Sequence, residues 1–490
     1  MGKITNVVVR MYRMGTGDCF ILKFLAGEDV QFKLMIDCGT WSGSQADLTK
    51  YITDLKAYVE NHIDVLVITH EHKDHVHGFD VCRELLKNNF SIDRIWMGWP
   101  ENDKNTKVKK WKKDYGDKKK ALAMAAQKLQ SVVSDNDYQL QMKGEQDGGH
   151  ILHARQQLAA AIAELNELQN NVADGEYVGA LAGMKVVKED IAKDNIEYFS
   201  PGDIIEKLDK LDGIKMYVLG PPLSWENEAK VQEGKKGESY EHNNKLSGSD
   251  AFAAAILSQE DGACDATPFD KRYLSDDKGS LSYKAYHAAS DAWRRIDTDW
   301  LNSAGSLALR INSITNNLSL ALAIEFEDSG RVLLFPGDAE YGSWASWHNI
   351  PWEVESRKED LHFTADLLDR TVFYKVAHHL SHHGTAERLG LNMMNHPDLV
   401  AMATLDYDVI SSKWLGTMPN YALLKALVAK TKGRLLIMNE NGVFYDKDKS
   451  VEVGPRLMKE RKKMTPADLQ AFENAYEEDD LYLQFTVSGE

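Results

Sequence analysis

The spacing of apolar residues predicts strands and helices in two comparable halves of the chain. Apolar and β-branched runs predict strands, helical spacing over 47–60 predicts a helix, and the charged last 40 residues predict a helix and a tail. The predicted strands lie at 4–12, 19–25, 32–37, 63–69, 214–219, 318–326, 331–335, 372–377, 399–410 and 434–438. This mixture of elements predicts an α/β fold.

The segment between the halves has a different pattern, rich in Ala, Gln, Lys and Glu. Apolar residues recur there every seven positions, with small or apolar residues three positions further on. The first set is Ile151, Leu158, Leu165 and Val172, and the second is Ala154, Ala161 and Leu168. Three heptads are short for a free coiled coil, so we expect a helical hairpin packed on the main domain, with a coiled coil as the alternative.

These patterns divide the chain into a main domain with two insertions and a charged C-terminal segment. Polar, mixed sequence at 225–304 predicts the second insertion. The predicted parts are 1–100 (first half of the main domain), 101–210 (helical insertion), 211–224 (one strand of the main domain), 225–304 (second insertion), 305–450 (second half of the main domain) and 451–490 (helix and tail).

Composition narrows the class of protein. Of 490 residues, 43% are hydrophobic and 27% charged, which excludes collagen-like, mucin-like and wholly disordered chains. The net charge of −17 excludes a general nucleic-acid coat but not a nuclease whose metal ions supply positive charge locally. Nine lysines between Lys104 and Lys120 are interpreted as a solvated helix face, with a phosphate-tracking patch as the alternative.

Cysteine use and hydropathy indicate the compartment. The four cysteines are scattered and form no CxxC pair, which is typical of reduced thiols in a cytoplasm. No apolar run reaches the roughly 18 residues that span a bilayer, and Arg10 and Arg13 interrupt the apolar N-terminus. We therefore expect a cytoplasmic protein without membrane contact.

A histidine-rich motif directly follows the strand predicted at 63–69. His70, His72, Asp74 and His75 lie within six consecutive positions with the spacing HxHxDH, and His77 follows. In a loop, histidines two residues apart can point into one pocket, while an Asp-His pair reaches a second pocket beside it. Imidazole and carboxylate are the ligands that zinc, manganese and iron take, so the motif predicts a metal site.

Two later strand ends supply further candidate ligands. Asp338 follows the strand at 331–335 in the sequence LLFPGD, where its carboxylate could bridge two cations. Four histidines follow the strand at 372–377, namely His378, His379, His382 and His383. At least one of them should complete the set of metal ligands. The first two are favoured because strand ends are held rigidly, and the other two are expected to contact ligands or substrate.

Taken together, these motifs resemble the metallo-β-lactamase superfamily, and within it the branch typified by the hydrolase domain of ComEC-type DNA-uptake proteins. The resemblance covers about 4–100 and 305–445, with 214–222 as a strand between them. It rests on Gly15-Thr16-Gly17-Asp18, Asp37-Cys38-Gly39, His70 to His75, Asn316-Asn317-Leu318-Ser319-Leu320, Gly337-Asp338 and Lys375 to His379.

The chain departs from the superfamily pattern at two points. HHG recurs at His382-His383-Gly384, so the resemblance leaves open which histidine of 378, 379, 382 and 383 is the last ligand. Many members also carry a histidine where the strand at 214–219 ends, and this chain reads Leu219-Gly220-Pro221-Pro222 there.

The resemblance implies an αββα sandwich with helical insertions and two divalent metal ions, zinc first and manganese as the alternative. His70 and His72 would hold one ion. Asp74, His75 and a histidine of the 378–379 pair would hold the other, and Asp338 would bridge them. Asp37 would orient a ligand histidine, and His77, Asn317 and Lys375 would lie near the site with roles in substrate contact or in structure.

Three functions follow as hypotheses. The first is a metal-dependent hydrolase that uses a metal-activated hydroxide, as a phosphodiesterase or nuclease on DNA or RNA, with Asp74, His75 and Asp338 as catalytic residues. The second is a hydrolase of the same fold acting on a small ester, lactone, thioester or cyclic nucleotide. The third is a subunit of a multi-protein system, such as a defence system, that binds a protein partner through 101–210.

Overall fold

The computed structural model describes most of the chain, with gaps concentrated in the insertions. The described residues are 2–41, 43–134, 148–169, 171–173, 176–178, 180–191, 195–223, 277–286, 288, 303–354, 357–360, 362–407, 418–438, 443–446 and 449–490. The described residues within 1–103, 172–243 and 313–490 form one compact unit, and those within 104–171 and 244–312 form another.

An eight-stranded mixed sheet forms one layer of the first unit. Its order is β20-β21-β1-β2-β3-β4-β5-β8. The strands are β1 (Asn6–Tyr12), β2 (Phe20–Ala26), β3 (Asp29–Ile36), β4 (His62–Ile68), β5 (Ser91–Gly98), β8 (Ile196–Phe199), β20 (Tyr476–Glu478) and β21 (Tyr482–Ser488). Pairing is antiparallel from β20 to β3 and parallel from β3 to β8, so β3 and β4 end at the same edge of the sheet.

A seven-stranded mixed sheet forms the second layer. Its order is β17-β16-β15-β12-β11-β10-β9. The strands are β9 (Ile204–Ile205), β10 (Ile214–Gly220), β11 (Ala321–Phe326), β12 (Val332–Phe335), β15 (Thr371–Lys375), β16 (Val400–Ala403) and β17 (Leu435–Ile437). Strands β12, β15, β16 and β17 run parallel, so the residues after β12, β15 and β16 also meet at one edge.

One hydrophobic core joins the facing sides of the two sheets. Alternate residues of β1 and β2 pack there with apolar residues of β10, β11 and β12, for example Val7, Val9, Phe20, Val218 and Leu322. The period-two pattern of the strands explains this, because every second side chain points to the same face. Helices cover the opposite face of each sheet through two further apolar clusters.

Thirteen helices lie in the described part of the chain. They are α1 (Gln45–Tyr58), α2 (Lys73–Val81), α3 (Arg83–Asn89), α4 (Thr106–Ser134), α5 (Gly148–Gln169), α6 (Ala180–Val186), α7 (Leu281–Tyr286), α8 (Ser303–Asn317), α9 (Tyr341–Trp347), α10 (Phe363–Asp369), α11 (Tyr421–Lys430), α12 (Val453–Arg461) and α13 (Pro466–Ala475). Short hairpins are β6 (Asn171–Ala173) with β7 (Glu176–Val178), β13 (Trp352–Val354) with β14 (Arg357–Asp360), and β18 (Val443–Asp446) with β19 (Lys449–Glu452). No described helix combines the length and apolar character that crossing a bilayer requires.

In the second unit α4 packs against α5. The buried face of α5 contains Leu152, Ala159, Ile162 and Leu165. Of the predicted seam, Leu165 is buried and Leu158 and Ala161 are partly buried, whereas the side chains of Ile151, Ala154, Leu168 and Val172 lie outside the described set. Most buried positions of α5 therefore come one residue after the predicted heptad positions, a displacement that the 3.6-residue period of a helix allows.

The lysines of α4 bear on the interpretation of the 104–120 segment. Lys107, Lys109, Lys110 and Lys113 are exposed, while Trp111 and Tyr115 on the same helix are buried and stack at 5.0 Å between ring centroids. Lys119 is the exception among the lysines, because it is buried. An amphipathic helix places its charges in this way, which favours the solvated helix face.

The mixed α/β class predicted from the sequence is confirmed by the two mixed sheets. Three boundaries differ. Residues 172–210, predicted within the helical insertion, belong to the unit with the sheets, where β8 pairs with β5. The predicted tail contains β21, which pairs with β1 and whose alternate residues Leu483, Phe485 and Val487 are buried. The strand predicted at 399–410 ends at Ala403, and 408–410 lie outside the described residues.

Candidate metal centre

The first histidine motif lies where β4 ends and α2 begins. Thr69 and His70 follow the strand, His72 is the N-cap residue of α2, and Asp74 and His75 occupy its first turn. All four predicted ligands are buried, with 3% or less of each residue exposed. Gly39 makes this possible, because a Cβ there would lie 2.2 Å from the Asp74 carbonyl carbon.

The remaining candidate metal ligands follow strands of the second sheet. Asp338 follows β12 through Gly337, which has a φ of 60°, and the Asp338 amide donates to Ser319 Oγ at 3.1 Å. His379 follows the parallel neighbour β15 in a tight turn where His378 and His379 both have a φ of 48°. Parallel pairing of β12 with β15 thus brings Asp338 and His379 to one place.

Four buried side chains from both sheets converge on one point: Asp74, His75, Asp338 and His379. Asp338 Oδ2 lies 3.1 Å from His75 Nε2 and 3.2 Å from His379 Nε2, and His379 Nε2 lies 3.1 Å from Asp74 Oδ2. Donors about 2.1 Å from a tetrahedral zinc ion would lie about 3.4 Å apart, close to these separations.

Three atoms of this cluster have unused hydrogen-bonding capacity. Asp74 Oδ1, His75 Nε2 and Asp338 Oδ2 are buried and make no well-aligned hydrogen bond, although His75 Nε2 and Asp338 Oδ2 lie 3.1 Å apart as an ion pair. Leaving buried polar atoms without partners is costly, and such atoms in a His/Asp cluster fit a cation that is coordinated there. The residues present therefore could hold a metal ion.

Outer contacts fix the orientation of both imidazole rings. His75 Nδ1 donates to Asp37 Oδ2 at 2.7 Å, and Thr69 donates to the two oxygens of Asp37 from its amide (2.8 Å) and hydroxyl (2.5 Å). On the other side, His379 Nδ1 donates to Thr404 Oγ1 at 2.8 Å. Occupying Nδ1 in this way leaves Nε2 of each ring for the centre, the arrangement usual for metal-binding histidines.

Lys375 provides positive charge inside the cluster. Its Nζ lies 2.5 Å from Asp18 Oδ2 and 3.1 Å from Asp338 Oδ1, and it donates to Gly337 O at 3.0 Å. Asp338 therefore uses one oxygen for the lysine and the other for the imidazoles. Thr404 Oγ1 donates to Asp18 Oδ1 at 2.7 Å, which ties the N-terminal turn to the end of β16.

His70 and His72 form a separate pair of donors beside the four-residue cluster. His70 Nε2 and His72 Nδ1 lie 3.0 Å apart, and the His70 and His75 ring centroids are 4.1 Å apart. Ser319 Oγ and Thr69 Oγ1 lie 3.3 and 3.0 Å from His70 Nδ1. In the described part of the chain, no group of three metal-binding atoms within 4.8 Å of one another includes either residue.

Burial and mutual charge set the protonation of the metal-free cluster. Burial acts to lower the pKa of His379, but the carboxylates of Asp338 and Asp74 outweigh it and raise the pKa to about 9. His75 follows the same balance, since Asp338, Asp18 and Asp37 raise its pKa well above the usual range against desolvation. For Asp338, burial alone would raise the pKa, but His379, His75 and Lys375 hold it well below the ordinary value. Within the cluster, imidazolium and ammonium groups thus balance anionic carboxylates, a role that a bound cation would take over.

Several predicted site residues lie elsewhere. His378 Nδ1 is 3.6 Å from Glu340 Oε1, and His378 is not a member of the four-residue cluster. His382 and His383 lie with their ring centroids 3.6 Å apart and their planes tilted by 48°, and they too lie outside it. His77 Nε2 donates to Gly43 O at 3.2 Å. Asn317 Oδ1 accepts from the amides of Glu340 and Ser343, so it holds the start of α9.

Two residues of the centre were not predicted as site residues, namely Asp18 and Thr404. The GTGD turn that contains Asp18 is visible in the sequence, so a polar residue in a glycine turn was the available signal. Thr404 gives no such signal, because it is one threonine after an apolar strand. Only the pairing of β15 with β16 brings it to His379.

No protein-family model, no curated protein and no solved structure matches the chain. The class of protein therefore follows from the fold and the site alone: an α/β protein with a buried His/Asp cluster, at the carboxyl ends of parallel strands, that could hold a metal ion.

Proposed function

We propose that this protein is a metal-dependent hydrolase of the metallo-β-lactamase superfamily, with an αββα sandwich and helical insertions, that cleaves phosphodiester bonds in DNA or RNA. The observation that carries the proposal is the convergence of Asp74, His75, Asp338 and His379 from two sheets on one buried point, with carboxylate and imidazole atoms that have no hydrogen-bond partner. The HxHxDH motif supplies half of that set.

The proposed chemistry is metal-assisted hydrolysis. A divalent ion bound in such a site supplies a water with a pKa near 7 and polarises a phosphoryl oxygen. The donors of the cluster are two imidazole nitrogens and two carboxylates, a set that suits zinc first and manganese or iron as alternatives. His70 and His72 would hold a second ion beside the first.

The chain's own residues would orient the donors and hold charge. Asp37 and Thr404 keep Nε2 of His75 and His379 directed at the centre. Lys375 places its ammonium group beside Asp18 and beside Oδ1 of Asp338, so it offsets carboxylate charge in a buried site. A rigid, pre-oriented set of donors of this kind lowers the cost of reorganisation during a reaction.

The test is a cleavage assay with the full-length protein loaded with zinc or manganese. The substrates are single- and double-stranded DNA and RNA of mixed sequence. Wild-type protein should cleave at least one of them, and Asp74→Asn should be at least about 100-fold slower, because it removes a charged donor. His396→Ala is the matched control, since His396 lies at the surface near Asp398 and outside the cluster.

Two outcomes would contradict the proposal. Cleavage that is equal in wild type and Asp74→Asn would indicate a contaminating nuclease. A metal-loaded protein that cleaves none of the four nucleic acids, but hydrolyses a small ester, lactone or cyclic nucleotide in an Asp74-dependent manner, would show the small-molecule hydrolase instead.

A further inference from the structure

Two segments of the second half concentrate positive charge in an acidic protein. Residues 421–438 and 453–464 together contain nine lysines and arginines and a single acidic residue, Glu460, whereas the whole chain has a net charge of −17. The segments pack against each other through α11 and α12. A net positive surface on an acidic chain requires an explanation, because dispersed charges suffice for solubility.

The two helices enclose a cleft of about 510 Å³. Its floor is apolar, since Leu424, Val428 and Val453 are all buried. Its rim is cationic. The lining residues are Tyr421, Leu424, Lys425, Val428, Ala429, Val453, Pro455, Arg456, Lys459 and Glu460.

The rim cations are available for an anionic ligand. Lys425 and Lys459 are exposed, Arg456 is partly buried, and none of the three forms an ion pair with any described residue. The Arg456 guanidinium lies 5.3 Å from the Tyr421 ring centroid, so an aromatic ring stands at the mouth beside a planar cation. Cations that track phosphates, together with aromatic and guanidinium planes for stacking, are the elements of single-strand recognition.

The start of α11 is also tied to the turn that contains His379, through the backbone. The amide of Asn420 donates to Leu380 O at 2.8 Å, and Leu380 directly follows His379. Asn420 caps α11 by accepting from the Leu423 amide at 2.9 Å, and Tyr421 is the first residue of that helix. His379 is therefore linked to Tyr421 of the cleft by two peptide bonds and one backbone hydrogen bond.

We infer that the cleft between α11 and α12 binds single-stranded nucleic acid that the metal centre acts on. The inference rests on the proposed function, and it names a substrate surface for it. Lys425, Arg456 and Lys459 contact successive phosphates, Tyr421 stacks on a base, and the apolar floor excludes water beneath the strand. The lysines of α4 are the alternative basic surface, but they belong to the other compact unit.

The experiment measures binding without chemistry. Fluorescein-labelled dT20 and U20 are titrated with full-length protein in EDTA at 50 mM salt, and binding is followed by fluorescence anisotropy. The triple variant Lys425→Glu/Arg456→Glu/Lys459→Glu should bind at least about 10-fold more weakly than wild type. Its salt dependence should be shallower, with a slope reduced by about 2 for three lost phosphate contacts.

The matched control reverses the same number of charges elsewhere. Lys109→Glu/Lys110→Glu/Lys113→Glu changes three exposed lysines of α4 and should bind the oligonucleotides within about twofold of wild type. If both triple variants lose the same amount of affinity, binding depends on net charge alone, and the proposed role of the cleft is wrong. If wild-type protein binds neither oligonucleotide but binds phosphatidylserine vesicles or polyglutamate, the proposed nucleic-acid cleft is also wrong.

A second pair of variants tests the stacking role. Tyr421→Phe keeps the ring and should bind like wild type, whereas Tyr421→Leu keeps apolar bulk without the ring and should bind about 10-fold more weakly. If both variants bind alike, Tyr421 does not stack on a base. Because these titrations contain no metal, failure of the cleft and failure of the proposed function are distinguishable: binding without cleavage rejects the nuclease, and cleavage without cleft-dependent binding rejects the cleft.

Discussion

Lys375 Nζ lies 2.5 Å from Asp18 Oδ2, so a turn near the N-terminus and a strand of the second half share a buried ion pair. Both side chains are 1% exposed. The pair joins the two sheets at the edge where the donors of the proposed metal centre converge. Lys375 also contacts Asp338, so one ammonium group offsets two carboxylates.

Replacing this lysine should destabilise the metal-free protein strongly. Lys375→Met leaves Asp18 and Asp338 buried without their cation, and breaking such a pair costs about 3–5 kcal/mol of unfolding free energy. Bound zinc should reduce the loss, because the ion supplies positive charge beside Asp338. Urea denaturation of wild type and variant, each with EDTA and with zinc, measures both values.

The comparison needs an exposed lysine as its control. Lys425→Met removes a cation without an ion pair among the described residues, and it should change the free energy of unfolding by no more than about 0.5 kcal/mol. A Lys375→Met protein as stable as Lys425→Met in EDTA would show that the buried carboxylates do not depend on Lys375.

The Asp37–His75 contact should tune metal affinity without itself holding the ion. Asp37→Asn keeps the shape of the side chain and tolerates the φ of 56° at this position, but it weakens the hydrogen bond from His75 Nδ1. We expect zinc affinity to fall about 10- to 100-fold, measured by competition with a chromophoric chelator. Unchanged affinity would assign Asp37 to folding alone, and thermal melts of the metal-free proteins provide that control.

The two histidines of the 378–379 turn should differ in metal binding. His379→Ala removes a donor 3.1 to 3.2 Å from Asp74 and Asp338, so the protein should lose its most tightly bound ion after dialysis. His378→Ala is a matched control with the same φ of 48°, and its ring lies near Glu340 and Asn316 instead. The metal content of both variants is measured by mass spectrometry. If His378→Ala loses the ion and His379→Ala keeps it, His378 is the ligand instead.

Local pattern predicted much of the fold and many of the donors, because both depend on strands that end in polar residues. His70 to His75 and Asp338 follow apolar runs, and parallel strands place such ends together. The choice of His379 depends on a left-handed turn that also holds His378, which spacing does not reveal. Asp18 and Thr404 are 386 residues apart in sequence, and only sheet pairing joins them. The strand β21 was missed because seven alternating residues in a charged tail give a weak signal.

Stability should rise with pH through the titration of a lysine away from the metal centre. Partial burial, Lys33 and Arg10 lower the pKa of Lys23 to about 8, from an ordinary value near 10.5. Between these values the unfolded chain binds a proton that the folded chain does not, so the free energy of unfolding increases with pH across that window. Below about pH 8 the folded protein bears the full cost of the half-buried cation.

Lys23→Gln should therefore be more stable than wild type at pH 7, by roughly 1 kcal/mol after allowance for solvent screening, and the advantage should vanish near pH 10.5. The contact of Lys23 Nζ with the Tyr58 ring, 3.5 Å from its centroid, offsets part of the gain. Urea denaturation of both proteins from pH 7 to 10.5 measures the difference, and the exposed Lys50→Gln variant corrects for general charge effects. A difference between Lys23→Gln and wild type that stays constant with pH would show that Lys23 titrates alike in the folded and unfolded states.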